Sequence, residues 1–549
     1  MSSAPTGNLA SLAAAVLQPG FVGTTPPPWV LRWLGDGLGS VVLFARNIVD
    51  LDQVAALTAA LRAERPDVIV AIDEEAGDVT RIESGRGSSR PGNFALGAVD
   101  DPELTAEVAR DLGRELASVG VTLDYAPDAD VNSNPANPVI GVRAFGADPD
   151  LVARHTAAWV RGLQSGGVAA CAKHFPGHGD TRVDSHHDLP RIGGSRAQLD
   201  AAELVPFRAA VAAGVQAVMT GHLLVPALDP RLPATLSPRI LGGLLREELG
   251  FSGVIVTDAV EMRAVADRYG FAGAAVRALA AGADAICVGG ERADEDAARE
   301  LRDAIVAAVV SGELPEQRLA EAAKRVGQLA AWTVAARADA PSRPTGTPTG
   351  TPGGSPIGLA AARRAVRVTA SAAGALPLAG APHVVEFEPP RNIAIGAETP
   401  WGIAAPLAAL LPGTTVVRLG ADDLGDVPAG TAAGAVGGAP AGAAGGVLAG
   451  AAGGVLAGAV AGAAGRPLVL VVRDLHRHDW MRAAVARALV ARPDAVVVEL
   501  GVPALVTGAV HVATHGATRA GALAAAELLA GTGRVAAMPL VGVAEPAVG

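Results

Sequence analysis

The chain has 549 residues, half of them apolar but only 3% aromatic, and its formal net charge at pH 7 is −11. This acidic balance argues against nucleic acid or an anionic membrane as the main partner. The two cysteines, Cys171 and Cys287, lie in apolar surroundings, which excludes a disulfide scaffold and predicts buried free thiols. The first 20 residues lack the basic stretch and apolar core of a secretory signal, so we expect a cytoplasmic protein.

Residues 1–335 alternate short apolar runs with longer amphipathic runs. The apolar runs predict strands at 40–45, 67–73, 121–127, 167–175, 215–222, 253–259 and 283–289. The amphipathic runs predict helices at 51–64, 101–120, 148–167, 195–214, 237–250 and 274–282. Apolar runs without alternation are typical of parallel strands buried on both faces. The pattern predicts a (β/α)8 TIM-type barrel over 1–335, and a doubly wound sheet is the alternative.

The rest of the chain predicts a linker and a second domain. Residues 336–358 are rich in Pro, Gly and Thr, which is typical of an inter-domain linker. Residues 359–549 predict an α/β sandwich with strands at 383–388, 392–397, 414–419, 467–474, 494–501 and 510–516. A Gly/Ala-rich low-complexity insertion near 428–465 repeats AAGGVLAG in tandem. It has few large apolar residues, so we expect a flexible or loosely helical insertion and not a membrane span.

Polar side chains follow the apolar part of four predicted strands. They are Asp73, the pair Lys173–His174, His222 and Asp258. In a parallel barrel these positions are the carboxyl ends of the strands, where active sites form. The pattern therefore predicts a functional site at this end of the barrel.

The segment KHFPGHGDTRVDSHHDLP (173–190) is the richest in chemistry, with four histidines and three aspartates. Its prolines and glycines exclude a helix and predict a strand end followed by a polar loop. Three interpretations compete: a zinc site, a solvated loop, and sugar chemistry in which Asp-x-His supplies a carboxylate-oriented imidazole for proton transfer. No familiar histidine spacing supports zinc, so we predict no metal.

Over most of its first 290 residues the sequence resembles glycoside hydrolase family 3, in particular its β-N-acetylglucosaminidase branch. The matching motifs are VVLFARNI (41–48), AIDEEAGDVTRI (71–82), KHFPGHGDTRVDSHHDLP (173–190) and GFSGVIVTDAVEM (250–262). The resemblance implies a retaining mechanism in which Asp258 is the nucleophile and forms a covalent glycosyl-enzyme. It also implies that His186 is the general acid/base, with Asp184 as its carboxylate partner.

The resemblance further implies which residues hold the terminal sugar. These expected substrate-binding residues are Asp73, Arg81, Arg143, Lys173 and His174, with His222 nearby. For His222 a satisfied strand-end histidine is an equally weighted alternative. A site that grips the terminal sugar in this way is exo-acting.

The expected function is that of an exo-acting, retaining β-N-acetylglucosaminidase that removes terminal GlcNAc from muropeptides or chitooligosaccharides, as in peptidoglycan recycling. No metal or organic cofactor is expected, and the protein would be a monomer or homodimer. One alternative is a phosphorylase that transfers the sugar to phosphate, since a neutral imidazole would not repel the incoming dianion. Others are a non-catalytic sugar-binding protein and a metal-dependent hydrolase that uses the His-rich loop.

Overall fold

The computed structural model describes residues 6–181, 189–339, 354–370, 375–390, 392, 394–396, 398–424 and 451–532. The chain divides into two compact units. The first comprises residues 1–84 and 100–357, and the second comprises 85–99 and 358–549. The sequence pattern did not indicate that 85–99, which lies between two strands of the predicted barrel, belongs with the second unit.

Eight parallel strands are found among the described residues of the first unit. They are β1 (Leu17–Pro19), β2 (Ser40–Leu43), β3 (Ile69–Ile72), β4 (Leu123–Asp124), β5 (Ala169–Phe175), β6 (Ala217–Thr220), β7 (Val254–Thr257) and β8 (Ile286–Val288). Strands β2 to β7 pair in sequence order, and β8 pairs with β1. A bridge from Val256 to Ala285 continues the curled sheet from β7 toward β8. The predicted TIM-type barrel is confirmed. Strand β1 was not predicted, because it has only three residues and one of them is proline.

Helices alternate with these strands. They are Thr6–Ala15, Pro28–Gly35, Leu51–Glu64, Pro102–Ser118, Pro149–Ser165, Arg196–Ala201, Leu204–Ala212, Arg263–Tyr269, Phe271–Ala281, Glu295–Ser311 and Glu316–Asp339, with a π-helix at Arg239–Glu248 and 3-10 turns at Ala45–Asn47, Gly141–Arg143 and Ala234–Leu236. Three of the helices begin after Asp50, Asp101 and Asp148, whose side chains accept a backbone N–H from the first turn. The helix predicted at 195–214 is two helices in the structure.

The barrel interior is filled mainly by small and β-branched side chains from the strands. Ala71, Ala169 and Ala217 pack there with larger residues such as Tyr125. Cys171 and Cys287 belong to the same cluster and are free, so the prediction of buried thiols is confirmed.

The second unit is built on a six-stranded sheet. Its strands are β9 (Arg367–Ala370), β10 (His383–Glu388), β11 (Thr415–Gly420), β12 (Leu468–Val472), β13 (Val496–Glu499) and β14 (Val510–Ala513). Their order is β11-β10-β12-β13-β14-β9, parallel except for β9 at the edge. Its helices are Asn93–Val99, Pro356–Ala365, Ala404–Leu410, Ala421–Leu424, Ala451–Ala461, Asp479–Ala491 and Arg519–Ala530, with a 3-10 turn at Leu475–Arg477.

Neighbouring residues of the central strands enter two different apolar clusters. Val469 and Val471 pack into one cluster, and Leu470 and Val472 into the other. Because side chains alternate across a strand, this distribution shows a core on each face of the sheet. The predicted second α/β domain is confirmed as a layered sandwich.

The segment 85–99 is held by the second unit through several contacts. Arg519 donates to the carbonyl of Gly87 at 3.2 Å, and the ring of Phe94 lies 5.8 Å from that of His515. Arg367 donates to the carbonyl of Ala98. These contacts explain why the segment belongs with this unit.

Two predictions for the second domain concern residues that the structure describes only in part. Residues 392 and 394–396 are irregular, and the rest of the strand predicted at 392–397 lies outside the described residues. The Gly/Ala-rich insertion contains the helix Ala451–Ala461, whereas 425–450 lie outside the description. In the ranges described, no helix has both the length and the apolar character needed to cross a membrane.

Candidate active site

The carboxyl ends of the barrel strands gather the polar side chains that the sequence singled out. Asp73 follows β3, Lys173 and His174 lie near the end of β5, and Asp258 follows β7. The pairing of β5 with β6 shifts register between Ala172 and Phe175. Such an irregularity re-aims side chains, and both Lys173 and His174 contact charged groups of the same site.

An ion network joins the ends of β3 and β5. Lys173, only 2% exposed, contacts Asp73 and lies 2.6 Å from the carboxylate of Glu75. Arg81 binds the other oxygen of Asp73 at 2.8 Å. Arg143 holds Glu75 through two bonds of 2.7 and 2.9 Å. Four of the predicted substrate-binding residues thus lie in one network, with Glu75 as a member that the prediction missed.

The charges of this network stabilise one another. Burial alone would raise the pKa of Asp73, but the neighbouring Lys173 and Arg81 outweigh it and hold that pKa well below its ordinary value. Burial alone would lower the pKa of Lys173, and the carboxylates of Asp73 and Glu75 raise it instead. Asp73 is therefore an ionised acceptor and Lys173 a charged donor at neutral pH, which is the state that binds sugar hydroxyls well.

His174 is oriented by a buried carboxylate. Its Nδ1 lies 2.8 Å from Asp130, and its Nε2 lies 3.5 Å from the Arg143 guanidinium. Asp130 also accepts the backbone N–H of His178 at 2.6 Å. Burial alone would raise the pKa of Asp130, but His174 and the hydrogen bonds lower it. His174 is thereby fixed next to the ion network, and its substrate-binding role stays a prediction.

Three residues have atoms of the kind that bind metals within 4.8 Å of one another. They are Asp128, Asp130 and His174, which we call the acidic cluster. Their existing partners do not favour a metal. The Arg143 guanidinium already lies 3.7 Å from Asp128, and His174 Nδ1 is engaged by Asp130. Burial and the neighbouring Asp130 raise the pKa of Asp128 well above its usual value, and a protonated carboxyl is a poor ligand. The absence of a resident metal stays a prediction.

A second pair of carboxyl groups lies buried beside the network, Glu74 and Asp124. One oxygen of Glu74 accepts three hydrogen bonds, from the backbone N–H groups of Arg81 and Ile82 at 2.7 and 2.9 Å and from the Thr80 hydroxyl at 3.0 Å. Burial raises the pKa of Glu74 to about 7. Glu74 thus fixes the turn that presents Arg81 to the ion network.

The predicted acid/base pair, His186 and Asp184, lies in 182–188, outside the described residues. The segment that leads into them is described. The Asn137 amide donates to the carbonyls of His178 and Gly179 at 2.9 and 3.0 Å. Burial lowers the pKa of His178 to about 4, so this histidine is neutral at pH 7.

Asp258 and His222 lie on neighbouring strand ends. The Asp258 N–H donates to the carbonyl of Thr220 at 3.1 Å, which places the residue beside β6. His222 is fully buried, with Nδ1 at 2.9 Å from the Thr235 hydroxyl and Nε2 at 3.0 Å from the carbonyl of Ala259. Both ring nitrogens therefore have protein partners, and the predicted contact of His222 with substrate stays a prediction.

Five acidic residues of this region are not among the predicted site residues. They are Glu74, Glu75, Asp128, Asp130 and Glu261. Each follows a strand by a few residues, in the motifs AIDEEAG, YAPDADV and TDAVEM. The same strand-end argument that selected Asp73 and Asp258 could have selected them.

A parallel barrel with ionised carboxylates, buried cations and an oriented histidine at its carboxyl rim defines a site suited to polyhydroxylated ligands, as in glycoside hydrolases. Residues 33–329 match the family described as Glycosyl hydrolase family 3 N terminal domain. The chain belongs to glycoside hydrolase family 3.

Individual relatives point the same way. The chain is 34% identical over 331 residues to Beta-hexosaminidase A of Pseudoalteromonas piscicida, covering 56% of this chain and 55% of that protein. It is 39% identical over 276 residues to a Beta-hexosaminidase of Stenotrophomonas maltophilia, covering 49% of this chain and 82% of the relative. The chain thus spans about half the length of the first relative.

The solved structure of a family 3 β-N-acetylglucosaminidase from Paenibacillus sp. str. FPU-7 has 33% sequence identity and a TM-score of 0.81, covering 96% of this chain and 97% of that chain. The predicted family is therefore confirmed, and so is the predicted enzyme class, a glycoside hydrolase of the β-N-acetylhexosaminidase type.

Proposed function

We propose that this protein is an exo-acting, retaining β-N-acetylglucosaminidase that removes terminal GlcNAc from muropeptides or chitooligosaccharides in the cytoplasm. The observation that carries the proposal is the ion network at the strand end next to His174, in which Glu75, Arg143 and Lys173 are buried and Asp73 and Arg81 are partly exposed. Charged donors and acceptors fixed in one place bind a single sugar ring through its hydroxyls. The two relatives named as β-hexosaminidases and the FPU-7 structure support the choice of sugar.

In the proposed first step, a carboxylate oxygen of Asp258 attacks the anomeric carbon while the bond to the aglycone oxygen breaks. The imidazolium of His186, paired with Asp184, gives its proton to that oxygen. In the second step His186 takes a proton from water, which attacks the same carbon and releases Asp258. Two inversions return the β-anomer.

The described residues supply the hydrogen-bonding groups that hold the sugar for this chemistry. Asp73 is ionised and accepts hydrogen bonds from sugar hydroxyls, and Lys173 and Arg81 donate to them. Arg143 and His174 close the other side of the network. Because these groups hold each other in place before substrate arrives, little free energy is spent on ordering them when it binds.

The test is the release of an aryl group from aryl β-GlcNAc, compared with aryl β-glucoside, each with and without phosphate. We expect phosphate-independent release from the GlcNAc substrate only, the β-anomer as first product by NMR, and loss of activity in Asp258→Ala. Strong stimulation by phosphate with a sugar 1-phosphate product would identify a phosphorylase instead. Binding of GlcNAc without turnover of either substrate would identify a sugar-binding protein.

A further inference from the structure

The segment Asp258–Met262 joins β7 to the following helix and carries the proposed nucleophile. Its backbone is tied to strands on both sides. The Asp258 N–H donates to the carbonyl of Thr220 on β6, and the Val260 N–H donates to the carbonyl of Cys287 on β8, each at 3.1 Å. The position of Asp258 therefore depends on how the segment is fixed between β6 and β8.

On the β6 side, His222 holds the residue next to the nucleophile. Its Nε2 donates to the carbonyl of Ala259 at 3.0 Å, and this nitrogen carries the proton because a carbonyl can only accept. The ring is fully buried, and its Nδ1 lies 2.9 Å from the Thr235 hydroxyl. The ring is thus fixed at both ends.

On the β8 side, Glu261 binds the turn that follows the strand. Its Oε1 accepts the backbone N–H groups of Gly289 and Gly290 at 2.8 and 2.6 Å. Its Oε2 is buried and accepts no hydrogen bond from any described residue. One carboxylate oxygen therefore links the nucleophile segment to the end of β8.

Arg46 holds the same turn from its other edge. It donates to the carbonyl of Gly289 and, at 2.9 Å, to that of Gly290. Its guanidinium lies 4.4 Å from the centre of the Phe44 ring. Gly289 has a φ of 117°, and a Cβ there would lie 2.4 Å from the backbone of Gly20, so this position of the turn requires glycine. Glu261 thus binds a turn that Arg46 also holds.

We propose that Glu261 and His222 are positioning residues for Asp258, acting from the β8 side and the β6 side respectively. This inference rests on the proposed role of Asp258 as nucleophile. Attack on an anomeric carbon requires near-attack geometry, and a displacement of about 1 Å costs about a hundredfold in rate. Because the Glu261 side chain binds the backbone of the turn after β8, we expect its loss to lower kcat and to leave ground-state binding unchanged.

The experiment compares Glu261→Ala, Glu261→Gln and the exposed control Asp267→Ala, using kcat and KM for aryl β-GlcNAc, inhibition by free GlcNAc and the thermal midpoint. In Glu261→Ala we expect kcat to fall about a hundredfold, with KM and GlcNAc inhibition within about twofold of wild type. In Glu261→Gln the side-chain oxygen still accepts from both glycine N–H groups. The NH2 group takes the position of Oε2, so the substitution removes no hydrogen bond there. It should restore kcat to within about threefold, and Asp267→Ala should match wild type.

Unchanged kcat in Glu261→Ala, or a parallel rise in KM and in the GlcNAc inhibition constant, would overturn the inference. If Glu261→Ala does not fold, Glu261→Asp replaces it, since it withdraws the carboxylate by one methylene; unchanged kcat there would have the same meaning. For His222, the Gln variant keeps an N–H donor and should exceed Ala in kcat at equal KM. Activity of Asp258→Ala, or no turnover by wild type, would instead refute the proposed function.

Discussion

The pKa of Glu74 makes a quantitative prediction about stability. It rises from 4.5 to about 7 on folding because the carboxyl is buried, so this residue favours the folded state most below pH 4.5. That contribution is lost as the pH rises through 7. At about 1.4 kcal/mol per pKa unit, the loss is about 1 kcal/mol at pH 5 and about 3 kcal/mol at pH 8.

Glu74→Gln removes the titration and keeps an oxygen that accepts from the turn at Thr80, Arg81 and Ile82. We therefore expect the variant to gain stability relative to wild type by about 2.5 kcal/mol between pH 5 and pH 8. The measurement is the free energy of unfolding in urea at several pH values. Glu107→Gln, which changes an exposed glutamate on the helix Pro102–Ser118, is the control.

Two results would refute this reasoning. If the stability curves of Glu74→Gln and wild type run parallel from pH 5 to pH 8, Glu74 does not change its protonation state on folding in this range. If Glu107→Gln shows the same divergence as Glu74→Gln, the effect belongs to the net charge of the chain and not to the buried carboxyl.

Three further predictions concern the site and the second unit. Lys173→Met should lower kcat/KM for aryl β-GlcNAc and destabilise the protein by up to about 3 kcal/mol, because it removes the cation that the buried Glu75 and the partly exposed Asp73 share and leaves each with one arginine; unchanged kcat/KM and urea unfolding would contradict this. Burial lowers the pKa of His515 to about 3, so its contribution to stability should fall as the pH drops below 6.5, by about 2 kcal/mol at pH 5, and His515→Asn should reduce the loss of stability in urea titrations by that amount. EDTA should leave turnover unchanged, since Arg143 already supplies positive charge to the acidic cluster; loss on chelation with recovery on zinc would show a metal there.

The barrel could be predicted from sequence because most of its strands are visible there as short apolar runs. All seven apolar runs predicted in residues 1–335 contain a strand, and Leu51–Glu64 has the predicted bounds. The segment 85–99 could not be predicted in this way, because its attachment depends on partners such as Arg519, more than 400 residues away in the chain. Periodicity is a local property, and this contact is not.

The site shows the same division between local and non-local information. The strand-end rule places Asp73, Lys173 and Asp258 on one rim, since parallel strands share their direction. The rule does not predict which charged side chains form ion pairs with each other. Arg143 lies in the 3-10 turn Gly141–Arg143, outside the periodic segments, and pairs with Glu75, 68 positions away in the chain. A motif can suggest that both residues matter, but only the folded chain shows that they neutralise each other.

These ion pairs explain how several charged side chains can lie buried in one place. Lys173 and Arg143 are nearly inaccessible, and an isolated charge there would carry a large desolvation cost. Each is compensated by carboxylates at 2.6–2.9 Å, so most of that cost is met within the folded protein. If the proposed function holds, a sugar hydroxyl that enters meets groups whose charge and orientation are already set. Under the proposed function, the same network that makes Lys173→Met costly for folding binds the hydroxyls of the terminal sugar.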